Sequence, residues 1–358
     1  MATTPVGNEQ PLHDRRIEAT VALTTPAQIL TEHPLDVELA GRVIESRRVV
    51  TAILDRVDPR LLVVVGPCSV HDPAAALDYA KRLAALAPEL PDLLLVMRVY
   101  FEKPRTTTGW KGLINDPHLD DSGDVNAGLR IARDLLLQVV EVGLPIGCEF
   151  LDPITPQYIA DTVAWGAIGA RTTESQTHRQ LASGLSMPVG FKNRTDGNVG
   201  VAVDAVRAAG SRHSFAGVEL GGGSAILRTA GNADCHIILR GGRGTTNYDA
   251  DSIADTIERL RAVGLPERVI IDASHDNSAK DHERQPAVAA AIAEQVAGGN
   301  EAIVGVMLES FLESGRQDLG GTLAYGRSVT DACMDWGSTE TVLRGLDEAA
   351  RARREPAG

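Results

Sequence analysis

The stretch Arg98-Val-Tyr-Phe-Glu-Lys-Pro-Arg105-Thr-Thr-Thr-Gly-Trp-Lys111-Gly is the densest concentration of ligand-binding chemistry in this 358-residue chain. It carries four cations, three hydroxyls and glycines that let backbone N–H groups approach a ligand. Phosphate recognition needs this mixture, because guanidinium forks grip oxyanions bidentately while an ammonium supplies a compact charge. A solvated basic loop is the plainer reading, but Thr-Thr-Thr and Gly-Trp suit a binding surface better. Three further cations, Arg171, Lys192 and Arg240, each follow an apolar run directly. An unpaired cation beside a core is strongly unfavourable, so each is expected to meet an anion. That anion is a ligand, or one of Glu149, Asp152, Glu174 and Glu309. Together with Arg98, Lys103 and Arg105 these cations suffice for two phosphates and a carboxylate.

Cys68, His275, Glu309 and Asp331 form a second set. A thiolate, an imidazole and two carboxylates suit a divalent first-row transition metal better than Mg²⁺ or Ca²⁺. No local spacing such as CxxC or HExxH supports the set; it rests on three of the four standing at the ends of apolar runs. Taken singly, Cys68 also reads as a small core residue and His275 as a hydrogen-bonded loop histidine. Gly241-Gly-Arg-Gly-Thr-Thr lacks the Lys-Ser/Thr ending of a nucleotide-binding P-loop, and no G-x-G-x-x-G follows a strand.

Eight apolar runs place these groups: Leu61–Val65 before Cys68, Leu93–Met97 before Arg98, Leu144–Gly147 before Glu149, Ala167–Ala170 before Arg171, Pro188–Phe191 before Lys192, His236–Leu239 before Arg240, Val269–Asp272 before His275, and Ala302–Leu308 before Glu309. Helical patterns alternate with them: 74–86, 127–142, 159–165, 175–183, 199–209, 251–263, 286–297 and finally 340–353. A ring of parallel strands, whose C-terminal ends share one pocket, accounts for that order; the expected fold is an α/β (β/α)₈ TIM barrel. An N-terminal tail and helical arm (1–57, with a disordered tail over 1–12 and a helix over 35–57) precede the barrel domain (58–358). The arm packs either on a neighbouring subunit or on its own barrel. The run His213-Ser-Phe-Ala-Gly-Val-Glu-Leu220 and the glycines after it predict a β-ribbon insertion over 211–234.

The formal net charge of −13 argues against nucleic-acid or anionic-membrane binding, so the pocket cations must be a local feature. A hydrophobic share of 43% with mean hydropathy −0.06 is ordinary for a soluble protein. Neither a secretory signal nor a membrane-spanning stretch is present, and four scattered cysteines make no disulfide framework; a cytoplasmic location is expected.

Gly66-Pro-Cys-Ser-Val-His-Asp, Met97-Arg-Val-Tyr-Phe-Glu-Lys-Pro-Arg-Thr-Thr, Gly112-Leu-Ile-Asn-Asp-Pro, Gly169-Ala-Arg-Thr-Thr-Glu-Ser, Gly190-Phe-Lys-Asn and His236-Ile-Ile-Leu-Arg-Gly-Gly are long, irregular motifs. In them the chain resembles class I 3-deoxy-D-arabino-heptulosonate 7-phosphate (DAHP) synthase, from about Asp14 to Arg353. The resemblance implies condensation of phosphoenolpyruvate with erythrose 4-phosphate, the entry to the shikimate pathway. It places Cys68, His275, Glu309 and Asp331 on the metal ligands. Arg98, Lys103, Arg171, Lys192 and Arg240 fall on the phosphoenolpyruvate site, with Glu149 and Ala170 beside it. Lys103, Pro104, Arg105 and Thr106 fall on the erythrose 4-phosphate site. Lys103, Cys68 and His275 are the expected catalytic residues, Lys103 as proton donor. The expected cofactor is one divalent transition metal, Mn²⁺ ahead of Fe²⁺, Co²⁺ or Zn²⁺.

Departures from the family pattern, at 276–285, 311–322 and near Gly217, are expected to be peripheral. The resemblance also implies an aromatic amino acid effector pocket walled by Pro156, Ser186, Phe215 and Gly217, with Asp14 supplied by a neighbour's arm in a homodimer or tetramer. Glycine at 217 leaves room for a phenolic hydroxyl, so tyrosine is the favoured effector. The rival readings are the related eight-carbon synthase that uses arabinose 5-phosphate, and a catalytically silent regulatory barrel. Cys333 lies two residues past Asp331 and is expected near Cys68.

Overall fold

Leu, Ile and Val dominate the eight apolar runs, and each run becomes a strand buried on both faces, as helix-covered parallel strands must be. The computed structural model describes residues 13–105 and 107–355. The first five strands are β1 (Leu61–Gly66), β2 (Leu93–Arg98), β3 (Ile146–Glu149), β4 (Trp165–Ile168) and β5 (Val189–Lys192). An antiparallel ribbon follows, β6 (Ser214–Val218) with β7 (Ser224–Arg228). The barrel then resumes with β8 (His236–Leu239), β9 (Val269–Asp272) and β10 (Ile303–Glu309). All eight barrel strands pair in parallel with their sequence neighbours, and β10 closes on β1 from Leu62↔Gly305 to Gly66↔Glu309. The chain is thus a (β/α)₈ barrel carrying a helical arm and a ribbon.

The helices are α1 (Pro26–Glu32), α2 (Val37–Leu54), α3 (Pro73–Leu86), α4 (Val125–Glu141), α5 (Pro156–Ile159), α6 (Gln176–Ala182), α7 (Gly200–Ala209), α8 (Ala250–Ala262), α9 (Gln285–Ala297) and α10 (Trp336–Arg354). Aspartates start five of them by accepting an otherwise orphaned N–H: Asp36 for α2, Asp72 for α3, Asp124 for α4, Asp249 for α8 and Asp335 for α10. Among the described residues no helix is long and apolar enough to cross a membrane. The expected tail over 1–12 lies outside the described residues.

Several elements differ from the sequence expectation: β3 lies two residues later than the run Leu144–Gly147, so that Glu149 ends the strand, and α10 begins at Trp336 rather than 340. The helix expected over 159–165 is instead α5, a 3₁₀ turn at Ala160–Thr162, and then β4 beginning at Trp165. Trp165 enters the barrel interior, where it shares with Ile238, Val96 and Val64 the space that two glycines leave. A Cβ on Gly190 would lie 3.0 Å from its Cζ2, and one on Gly147 3.2 Å from its Cε3. In consequence β4 starts and ends two residues early, and Arg171 stands three residues beyond the strand rather than at its tip.

Helix α2 closes the N-terminal mouth of the barrel. Its Val50, Ile53 and Leu54 join Leu62, Val64, Trp165, Ile238, Ile270 and Val304 in one buried cluster. This part of the arm therefore packs on its own barrel, and it leaves the opposite mouth open. Arg133, fully buried on α4, fastens the arm further by donating to the His33 carbonyl at 2.7 Å and pairing with Asp161 at 2.7 Å.

At the closed mouth Trp165 Nε1 donates to His236 Nε2 at 3.1 Å, while His236 Nδ1 meets the Asp234 carbonyl at 3.0 Å. Burial pulls the His236 pKa down to about 3. The unfolded chain therefore binds the extra proton between the ordinary histidine value of about 6.5 and the folded value. This contribution to stability is fully present above that window and is lost as pH falls through it. We expect His236→Gln to flatten the rise in unfolding free energy between pH 5 and pH 7, by at most about 1.4 kcal/mol per pH unit. Urea unfolding of both proteins at the two pH values measures it; equal pH dependence in the two would exclude the assignment.

Candidate active site

The C-terminal ends of the strands surround a cavity of about 440 Å³. Seven cations line it (Lys103, Arg105, Arg171, Lys192, Arg240, Arg243 and Lys280), against three carboxylates, Glu149, Asp276 and Asp331. A chain with net charge −13 has thus gathered positive charge at one place. Such a site attracts and holds small polyanions.

Each expected cation is positioned differently. Arg98, the last residue of β2, is almost wholly buried beneath the cavity. It pairs with Glu309 at 3.0 Å, donates to Met307 Sδ at 2.9 Å, and lays its guanidinium 4.0 Å from the Tyr100 ring centroid. Lys192 ends β5 and pairs with Asp272 at 3.0 Å. Arg240 follows β8 and pairs with Asp276. Their partners, apart from Glu309, are not the acids expected from sequence; Glu174 pairs instead with Arg194. Arg171 is exposed at the cavity and has no ion pair among the described residues. Ala170 and Pro104 also line the wall, while Thr106 lies outside the described residues.

The loop after β2 owes its shape to packing rather than to regular structure. Trp110 is buried and donates Nε1 to the Asp116 carbonyl at 2.8 Å; Arg105 Nε donates to the Trp110 carbonyl at 2.8 Å. Gly112 adopts φ +117°, and a Cβ there would lie 1.9 Å from the Phe101 carbonyl oxygen. Only glycine lets the two limbs of the loop meet. Glu102, buried between this loop and the turn after β3, accepts from the Asp152 N–H at 3.1 Å. Burial pushes its carboxyl up to about 8. Glu149 fits beside β4 because position 169 is glycine: a Cβ there would stand 2.3 Å from Glu149 Oε1.

The four expected metal ligands are drawn toward one point from β1, β9, β10 and the segment before α10. Ligand atoms of Cys68, Glu309 and Asp331 lie within 4.8 Å of one another. His275 stands beside this trio, its Nε2 3.9 Å from Glu309 Oε1. It sits three residues past β9 with φ 55°, a left-handed backbone that swings the imidazole toward Glu309. Donors of this kind and spacing fit a divalent transition-metal ion. Lys103 Nζ lies 2.9 Å from Cys68 Sγ. Burial opposes its charge, but the Cys68 sulfur and the Glu309 and Asp331 carboxylates outweigh burial and keep the ammonium firmly protonated. Burial and Glu309 push the Cys68 thiol up to about 11. Asp331 is held down to about 2, against burial, by Lys103, His275 and Lys280.

Four residues at the site carry no strong signal in the sequence. Arg243 belongs to a glycine run that fails as a nucleotide motif, and Thr195 sits in a polar turn. Asp276 and Lys280 fall in the stretch 276–285 expected to be peripheral. They line the cavity instead, because a 3₁₀ turn at His275–Ser278 folds the segment back over β9.

Of the expected effector residues, Phe215 and Gly217 stand two apart on β6, Pro156 opens α5, and Ser186 precedes β5. No hydrogen bond among the described residues joins Asp14 to any of them. The room ascribed to glycine at 217 is already filled from within: a Cβ there would lie 2.5 Å from Leu227 Cδ1. A ligand hydroxyl needs Leu227 to turn aside.

Cys333 Sγ accepts from the Cys68 N–H at 3.4 Å, so the two thiols are neighbours. Burial raises both above the ordinary thiol range, which makes them poor nucleophiles at neutral pH. We expect hydrogen peroxide to convert the two thiols to a disulfide, with water as the other product, slowly at pH 7 and faster at pH 9. Peptide mapping of treated protein should yield a linked Cys68–Cys333 pair; two free thiols after prolonged treatment at pH 9 would refute this.

Comparison with known proteins follows the same lines. A family model described as the DAHP synthetase I family matches residues 42–344. The Phe-sensitive phospho-2-dehydro-3-deoxyheptonate aldolase of Escherichia coli K12 is 56% identical over 344 residues, covering 95% of this chain and 98% of that protein. The Tyr-sensitive enzyme of the same organism is 52% identical over 330 residues, covering 91% and 92%. The solved structure of phospho-2-dehydro-3-deoxyheptonate aldolase from Francisella tularensis SCHU S4 superposes with a TM-score of 0.93 at 48% identity, covering 95% of this chain and all of that one.

Proposed function

The chain belongs to the DAHP synthetase I family, and from that premise we propose that it condenses phosphoenolpyruvate with D-erythrose 4-phosphate and water. The products are 3-deoxy-D-arabino-heptulosonate 7-phosphate and inorganic phosphate, the first step toward the aromatic amino acids. The observation that carries this reading is one cavity with seven cations for two phosphorylated substrates, floored by a thiol, an imidazole and two carboxylates.

Arg171, Lys192 and Arg240 hold the phosphate and carboxylate of phosphoenolpyruvate and aim its C3 at the aldehyde. Arg98 supports them from below, its plane fixed by Tyr100 and its charge by Glu309. Arg105, with Pro104 and Thr106, takes the phosphate of the sugar. Cys68, His275, Glu309 and Asp331 hold one divalent transition-metal ion, Mn²⁺ foremost. When bound, it supplies Lewis acidity toward the aldehyde oxygen. Lys103 carries the proton that this oxygen gains as the carbon–carbon bond forms. Its charged state and its place beside Cys68 support that role.

Regulation belongs to the same reading. The arm and ribbon serve a homo-oligomer whose effector is an aromatic amino acid, with tyrosine preferred over phenylalanine. Pro156, Ser186, Phe215 and Gly217 form the pocket, and Asp14 of a second copy completes it. Absence of a side-chain hydroxyl at 217 supports tyrosine, with Leu227 turning aside to admit the phenol.

Phosphate release from phosphoenolpyruvate and erythrose 4-phosphate, with and without a chelator, tests the chemistry. Chelator should abolish release, and added Mn²⁺ should restore it. Turnover with arabinose 5-phosphate in its place would overturn the substrate assignment, and no turnover with either would mean a silent barrel. Lys103→Met should lower kcat by about 100-fold or more; a rise in KM alone would remove Lys103 from the proton-donor role. Because the Cys68 thiol titrates near 11, metal binding at pH 7 should release one proton from it. Titration of Mn²⁺ in buffers of different ionisation enthalpy measures that release, and Cys68→Ser should eliminate it. Inhibition curves with tyrosine and phenylalanine, for the native chain and Gly217→Ser, test the effector. Stronger inhibition of the native chain by phenylalanine would refute the glycine argument, and insensitivity to both would refute the pocket.

A further inference from the structure

Asp272, the last residue of β9, is completely buried and takes no part in the reaction as described. One of its oxygens, Oδ2, lies 3.0 Å from Lys192 Nζ and 2.8 Å from His275 Nδ1. Despite full burial, Oδ2 accepts no well-aligned hydrogen bond. The other oxygen, Oδ1, accepts from Ser274 N–H at 3.0 Å and from Ser274 Oγ at 2.5 Å, and that hydroxyl also lies 2.7 Å from His275 Nδ1. A single carboxylate oxygen is therefore divided between a cation of the anion pocket and the imidazole of the metal-donor set, with neither contact optimal.

We propose that Asp272 is a positioning residue that couples anion binding in the cavity to metal binding at Cys68, His275, Glu309 and Asp331, through the oxygen shared by Lys192 and His275. The proposal rests on the functional reading above. Its physical basis is competition for one oxygen. An anion in the cavity draws the Lys192 ammonium toward itself and leaves Oδ2 to His275. A stronger Nδ1–H···Oδ2 hydrogen bond fixes the ring and makes Nε2, which faces Glu309, a better donor to a cation. In the reverse direction, a cation on Nε2 strengthens Nδ1–H as a donor, holds Oδ2, and frees Lys192 for the anion. These two effects are one coupling free energy, so each ligand tightens the other by the same factor. Direct attraction between a bound dication and a bound anion also contributes, but it does not pass through Asp272, and a variant separates the two.

The experiment is calorimetric titration of the full-length protein with Mn²⁺, with and without saturating phosphoenolpyruvate, and with phosphoenolpyruvate, with and without Mn²⁺. None of these readouts requires turnover. The native protein should show a coupling factor on the order of ten. In Asp272→Asn that factor should fall by about threefold or more, equally in both directions, while Mn²⁺ still binds. Ser274→Ala leaves the Lys192–Asp272 pair in place and removes the hydroxyl that links Asp272 Oδ1 to His275 Nδ1, so the imidazole loses one of its two supports. It should lower the coupling by about twofold, with phosphoenolpyruvate affinity of the metal-free protein nearly unchanged. Circular dichroism and melting curves establish that each variant is folded; should Asp272→Asn fail to fold, Ser274→Ala decides. Native-like coupling in the folded variants, or no coupling in the native protein, would overturn the proposal. A native protein that binds no phosphoenolpyruvate at all would overturn the functional reading itself.

Discussion

Cations at the mouth of this barrel can be buried only if carboxylates come with them, and the rest of the site follows from how that pairing is arranged. Arg98 on β2 meets Glu309 on β10, across the intervening β1; Lys192 on β5 meets Asp272 on β9, across β8. Inward side chains of alternate strands share a layer in a barrel of this kind, so next-but-one strands supply the partners. Removing either member of such a pair leaves an uncompensated charge in a medium that solvates it badly, at a cost of about 3–5 kcal/mol. The pairs fix direction as well as charge. Arg98 is immobilised on three sides by Glu309, Met307 and Tyr100. Arg105, Arg171, Arg243 and Lys280 are the outer, exposed members of the group, free of ion pairs among the described residues and able to turn toward an incoming polyanion.

The two ends of the barrel divide stability from chemistry. At the closed end, α2 and the Trp165 indole fill the interior, and the buried His236 there is satisfied on both ring nitrogens, by Trp165 and by the Asp234 carbonyl. At the open end nearly every inward group is polar and several are shared between partners. Such an arrangement sacrifices packing for reactivity, as a site that must exchange ligands requires. Two conformational details hold it in place. Gly112 lets the loop after β2 fold back on itself, and the left-handed backbone at His275 turns an imidazole toward Glu309.

Arm, ribbon and site loops form one connected structure within the single chain. The N–H of Ala27 donates to the Leu220 carbonyl at the ribbon turn, and Tyr158 of α5 donates its hydroxyl to the Thr24 carbonyl. Glu102 then ties the turn after β3 to the loop that carries Lys103 and Arg105. A displacement of the ribbon thus has a path of direct contacts to the loop after β2. Exposed apolar residues on the arm and ribbon, Ile17, Val21 and Ile226, leave apolar surface on both.

Composition and periodicity by themselves determined the architecture, because strands buried on both faces must be continuous apolar runs and their order along the chain is their order around the barrel. The residues at the strand ends were legible for the same reason: Cys68, Arg98, Lys192, Arg240 and Glu309 are the first polar groups after, or the last within, such runs. The long motifs determined the family. What only the tertiary structure decided was who pairs with whom. Asp272 reads in the sequence as the tail of a strand, and only closure of the barrel brings Lys192 and His275 to the same oxygen. Trp165 passed for the end of a helix, since nothing local shows that two distant glycines make room for it. Asp276 and Lys280 looked peripheral because a turn back over the cavity leaves no periodic trace. Local pattern fixes which face of an element is buried. Contacts between residues eighty positions apart are set by closure of the whole sheet, which no window of sequence contains.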